Sequence, residues 1–97
     1  MNLTSQERAY LRGEAQTLNP VVMVGKEGLT DAVAKALDEA VKAHELVKVR
    51  FQAHKDEVKT IAFDLAERSN STLVATTGFT AVYYRPAEKA EDRRYFL

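Results

Sequence analysis

Two β-prone runs, "VVMV" at 21–24 and "LVKVRFQ" at 46–52, flank a stretch with helical spacing of its apolar residues. That order constrains the fold more than anything else in the chain. Strands joined through a helix of about 14 residues should lie parallel, with a right-handed crossover. The rest of the chain has to build on that unit.

A first helix is expected over 4–18. Thr4 and Glu7 form a T-x-x-E capping box, and Leu11, Ala15 and Leu18 recur at helical spacing with Tyr10 beside them. Asn19-Pro20 stops it, because the residue before proline is pushed out of the helical region. "VVMV" is apolar on both faces and fits a buried strand. Thr30 suits the N-cap of a second helix, 31–44, with Val33, Ala36, Leu37, Ala40 and Val41 as its packed stripe. In 46–52, Val47, Val49 and Phe51 point one way and Lys48 and Arg50 the other. A third helix over 56–69 buries Val58, Ile61, Ala62, Leu65 and Ala66. "TLVAT" and "TAVYYR", split by Thr77-Gly78-Phe79, read as a hairpin.

The fold class is therefore α/β, with helix-β-α-β-α-β-β order. A mixed four-stranded sheet carries helices on at least one face, as a two-layer sandwich. Tyr83 and Tyr84 point to opposite faces, so one belongs to the core and the other is open. Residues 1–86 form one domain, and 87–97 a charged tail, extended or loose up to its aromatic end.

Composition removes several function classes. The 97 residues contain no cysteine, which excludes disulfides and thiol chemistry and leaves a structural zinc site without its usual ligands. His44 and His54 are scattered, and the pairs Asp38-Glu39 and Asp56-Glu57 are neighbours on helices that diverge. No catalytic set, metal site or cofactor site is expected. The polar start, "MNLTSQERAYLRGE", lacks the apolar stretch of a signal peptide, and no run suits a membrane span, so a cytoplasmic protein is expected. Basic and acidic side chains number 14 each, nine of each sign in 1–59 and five of each in 60–97. This balance counts against nucleic-acid binding by bulk positive charge, and any such contact must rest on a local patch.

The local feature is the loop "GKEG", Gly25-Lys26-Glu27-Gly28, between a strand and the helix capped by Thr30. Unpaired N–H groups and the positive end of the helix dipole favour an anion there. Glycines admit a close backbone, and Lys26 adds a full charge; together they make a phosphate cradle. A four-residue G-x-x-G loop clamps the nucleic-acid backbone in one group of RNA-binding domains. The spacing is neither a Walker A loop nor a dinucleotide fingerprint. On its own G-x-x-G also suits a plain tight turn, and Glu27 repels a phosphate. Arg8 and Arg12 share a face of the first helix with no acidic neighbour on it. Lys48 and Arg50 form a second small patch that Arg85 can join, or they are surface charges that keep the sheet soluble. Phe79, with the open tyrosine, is a candidate base-stacking residue or an ordinary packing aromatic. Lys35 and Lys42 are spaced to pair with Glu39 and Asp38.

The segment from "ERAYLRGEAQTLNPVVMVGKEGLT" through "HELVKVRF", followed by "GFTAVYYRP", resembles the CRM domain, and in particular its small stand-alone bacterial members, the YhbY-like proteins. The resemblance runs from about Leu3 to Pro86. It implies a fold like the C-terminal domain of bacterial translation initiation factor three. It also implies RNA binding through the G-x-x-G loop, with ribosomal RNA in large-subunit precursors as the partner and a role in large ribosomal subunit assembly; plant organelle relatives use the domain in intron splicing. Gly25, Lys26 and Gly28 match the family loop, and Arg8 and Arg12 its basic helix positions. Glu27 departs from the glycine or small neutral residue common there. The alternative is a protein-interaction module that docks on ribosomal or other proteins with little direct RNA contact.

Overall fold

The computed structural model describes residues 1–97. Three helices, α1 (Ser5–Ala15), α2 (Asp31–His44) and α3 (Val58–Arg68), alternate with four strands, β1 (Val22–Val24), β2 (Leu46–Phe51), β3 (Thr72–Thr77) and β4 (Thr80–Tyr84). The sheet order is β1-β2-β4-β3. β1 and β2 are parallel, with Val24 opposite Phe51, and β4 is antiparallel to both β2 and β3. The expected mixed sheet and element order are present.

Local chemistry accounts for the ends. The Thr4 hydroxyl accepts the Glu7 N–H at 3.1 Å, and the Glu7 carboxylate accepts the Thr4 N–H at 2.8 Å. The Thr30 hydroxyl accepts the Val33 N–H at 3.2 Å and caps α2. α1 stops at Ala15, three residues short of expectation, where Leu18 donates back to Ala15 and leads into Asn19-Pro20. The hairpin turns at Gly78, whose φ of 57° is the left-handed value such a turn requires.

The larger core lies between the sheet and α2 with α3. It joins Leu37 and Val41 of α2, Ala62 and Leu65 of α3, and Val49, Phe51 and Tyr83 of the strands. That is the two-layer sandwich. α2 is rotated slightly from the expected stripe: Ala34 is buried and Ala36 exposed. Burying Tyr83 leaves its hydroxyl needing a partner, and it donates to the Ala62 carbonyl at 2.8 Å.

α1 adds a partial cover on the opposite face. Leu11 and Ala15 pack there with Leu46, Val74, Val82 and Tyr84. Tyr84 is therefore buried too, which corrects the expectation that one of the two tyrosines is open. The cover stops short of β1. Met23 is 43% exposed, so β1 is an edge strand buried on one face and not on both.

The tail is anchored, contrary to the loose segment expected up to its aromatic end. Glu45 is a buried residue between α2 and β2 whose carboxylate accepts the N–H groups of Ala87, at 3.2 Å, and Arg94. Beyond it, the Tyr95 ring meets Tyr84 edge-on at 6.3 Å between centroids, and Phe96 donates to the Tyr10 hydroxyl at 3.4 Å. Burial raises the pKa of both the Tyr84 and Tyr95 phenols. A carboxamide in place of the carboxylate keeps one acceptor and weakens it. Glu45→Gln is expected to speed proteolysis within 87–97 about ten-fold or more, since hydrogen bonds to charged groups contribute about 1.5–3 kcal/mol. Unchanged cleavage in a limited-proteolysis time course would show that the aromatic contacts alone hold the tail.

Candidate nucleic-acid interface

A parallel β1–β2 pair puts both strand C-termini at one end of the sheet, and the β3–β4 turn reaches the same end. The Gly25–Gly28 loop leaves β1 there. Gly28 donates to the Gly25 carbonyl at 3.0 Å, closing a tight turn. Gly28 is buried with φ 70°, a conformation that L side chains rarely adopt. Gly25 differs. A Cβ there would meet nothing within 4 Å, and its φ lies outside the left-handed region. The turn accounts for one glycine and not for the other.

Lys26 and Glu27 are exposed at the tip. The N–H groups of Lys26, Glu27, Asp31 and Ala32 find no acceptor within the chain, while Thr30 takes that of Val33. These unpaired donors, the α2 dipole and Lys26 thus stand together. Acidic groups stand among them. Glu27 is at the tip, and Asp31 lies in the first turn of α2, 3.7 Å from the Arg68 guanidinium.

The other basic candidates divide. Arg50 is exposed on the uncovered part of the sheet, in register with Met23 and Thr80, and Lys48 is half-buried on the same face. Arg12 is exposed on α1, across the sheet from α2, with no side-chain link to the loop. Arg8 is held by the fold. Its Nη1 donates to the Leu73 and Val74 carbonyls at 2.8 and 2.9 Å, at the irregularity in the edge strand β3. Arg85 does not join Lys48 and Arg50. It follows β4 at the opposite end of the sheet, and its guanidinium donates to the Asp38 carboxylate and carbonyl at 2.8 and 2.9 Å and to the Ser69 carbonyl at 3.2 Å. Asp38 is thereby taken by Arg85 and not by Lys42.

Sequence reasoning missed two residues. His54 and Lys55 follow β2 and so emerge at the loop end. His54 Nε2 lies 2.6 Å from the Lys26 carbonyl, and its ring lies against Gly28. Lys55 Nζ stands 4.7 Å from the centroid of the Phe79 ring. The parallel pairing, already expected from the strand order, was the signal that this loop would sit beside Gly25–Gly28.

Fold and loop together define a class of small α/β domain, with a G-x-x-G turn leading from a parallel strand into a capped helix. Residues 3–85 match the model of the CRS1 / YhbY (CRM) domain, and the chain belongs to that family. It is 36% identical over 90 residues to an RNA-binding protein of Haemophilus influenzae, covering 92% of this chain and 91% of that one. It is 38% identical over 88 residues to YqeI of Bacillus subtilis, covering 90% and 92%. A solution structure from Staphylococcus aureus superposes with a TM-score of 0.81 at 31% identity, covering 96% of this chain and 98% of that one. No helix of the chain is long and apolar enough to cross a membrane.

Proposed function

We propose that the protein binds ribosomal RNA at the Gly25–Gly28 loop and assists assembly of the large ribosomal subunit in the cytoplasm. The observation that carries the reading is the run of unpaired backbone donors through the loop and the first turn of α2 beside Lys26, in a family whose Haemophilus influenzae member is an RNA-binding protein. The ribosomal assignment rests on the likeness to the stand-alone YhbY-like proteins. Phosphate oxygens accept from the loop and α2 N–H groups; Lys26 neutralises charge, and Arg50 with Lys48 extends the track over the open sheet. Arg12 reaches RNA only where it wraps toward α1. Contacts of this kind position a backbone and carry no base sequence directly.

Filter binding of ribosomal RNA against salt tests it. With three or four phosphates neutralised, log affinity is expected to fall with log salt at a slope of about −2 to −3, at roughly 0.7 per phosphate for single strands. Lys26→Glu with Arg12→Glu is expected to weaken binding and flatten the slope. Affinity unmoved by both changes would place the RNA elsewhere on the surface.

A second reading, docking on a ribosomal or other protein, is favoured by the charge pattern. Lys26, Lys55 and Lys59 at the loop end alternate with Glu27, Asp56 and Glu57, a mosaic and not one positive face. Association that ignores salt would select it.

A further inference from the structure

The G-x-x-G turn, the segment after β2 and the β3–β4 turn converge at one end of the sheet and are tied together through the backbone. Gln52 donates to the Val24 carbonyl at 2.9 Å, and Phe51 donates to the Phe79 carbonyl at 2.7 Å. Neighbouring strands stand about 4.8 Å apart, which places Gly25 and Phe79 roughly 10 Å apart across β2. Two consecutive residues of the segment after β2, His54 and Lys55, serve the two sides of this gap. His54 reaches the Lys26 carbonyl; a carbonyl oxygen only accepts, so Nε2 carries the proton. Lys55 reaches the Phe79 ring. His54 itself has φ 55°, a costly conformation for a residue with a side chain. Phe79 remains 49% exposed, and the turn that holds it requires Gly78 but no ring at 79.

We propose that this end of the sheet is a two-part site for an unpaired nucleotide of single-stranded RNA. The loop takes a phosphate, and the Phe79 ring takes the base. The proposal rests on the loop reading given under Proposed function and adds the class of RNA. Lys55 supplies a cation against the ring and, when a base arrives, a charge beside the adjacent phosphate. His54 is a positioning residue that braces the loop at a set distance from the ring. A duplex keeps its bases stacked inside and has none to offer Phe79.

The chain has no tryptophan, so Phe79→Trp introduces a single reporter in it. Three probes separate the contributions: a single-stranded RNA 12-mer, the duplex of the same sequence, and inorganic polyphosphate, which has phosphates and no bases. Tryptophan emission is expected to be quenched by the single strand alone. Phe79→Ala is expected to weaken the single strand about ten-fold or more, in line with the loss of one stacked base, and to leave polyphosphate binding unchanged. His54→Ala is expected to weaken polyphosphate as well, with His54→Gln, which keeps an N–H donor, restoring it. Single-strand affinity unchanged in Phe79→Ala but reduced in Lys26→Glu would overturn the base site and leave the loop reading standing. No loss in either variant would overturn both. Polyphosphate binding unchanged in His54→Ala would remove the brace.

Discussion

Phe51→Ala is expected to lower the free energy of unfolding by about 3–5 kcal/mol, the usual cost of emptying a buried aromatic site. Phe51 is 1% exposed, at the end of β2. Its backbone pairs with Val24 on one side and donates to Phe79 on the other, so its ring fills the core directly beneath the candidate interface. A domain of this size has only about 5–15 kcal/mol in total. In urea, with a slope of about 1–1.5 kcal/mol per molar for a small protein, the midpoint should drop by roughly 2–5 M. The control is Phe63→Ala. Phe63 is 60% exposed on α3, and its loss should stay within about 0.5 kcal/mol. Equal midpoints for the two variants would mean that the core around Phe51 is not tightly packed.

What was legible in the sequence was local or periodic. The Thr4–Glu7 box, the Thr30 cap and the alternation through Val47, Val49 and Phe51 involve residues a few positions apart, so spacing alone exposes them. The parallel pair followed from a chain rule, not from any side chain. The illegible parts depend on partners far along the chain. Arg8 looked free because its helix neighbours are not acidic, yet its acceptors are carbonyls 65 and 66 residues away. Arg85 looked like part of a basic track because strand alternation says nothing about which end of a sheet is covered. Glu45 reads as any polar residue at a helix end, and only the folded chain shows it gripping a tail 42 and 49 residues downstream. Tyr84 is buried because α1 and Tyr95 cover a face that three-residue patterns cannot see. The candidate site divides in the same way. Its glycine loop was plain, while the place of His54 against that loop needed the geometry.

On the proposed function, the two glycines of the loop should fail in opposite ways. Gly28→Ala forces a methyl-bearing residue into φ 70°, at a cost of about 1–2 kcal/mol, and its Cβ would rest on the His54 ring at 3.4 Å, a contact and not a clash. Stability should fall, with RNA affinity following only as far as the loop shifts. Gly25→Asp carries no such strain and projects into open space, so its melting curve should stay within about 0.5 kcal/mol of the parent. Its carboxylate, however, stands where the proposed phosphate would approach the unpaired N–H groups. Losing hydrogen bonds between those donors and a charged phosphate costs about 1.5–3 kcal/mol, so RNA affinity should drop by roughly ten- to 150-fold. Gly25→Ala, with its smaller obstruction and no charge, should fall between. Paired urea melts and filter binding read both quantities on the same samples. Stability lost in Gly25→Asp would make that glycine part of the turn after all. Full affinity with full stability would take the phosphate away from the loop, because nothing inside the fold gives Gly25 a reason to lack a side chain.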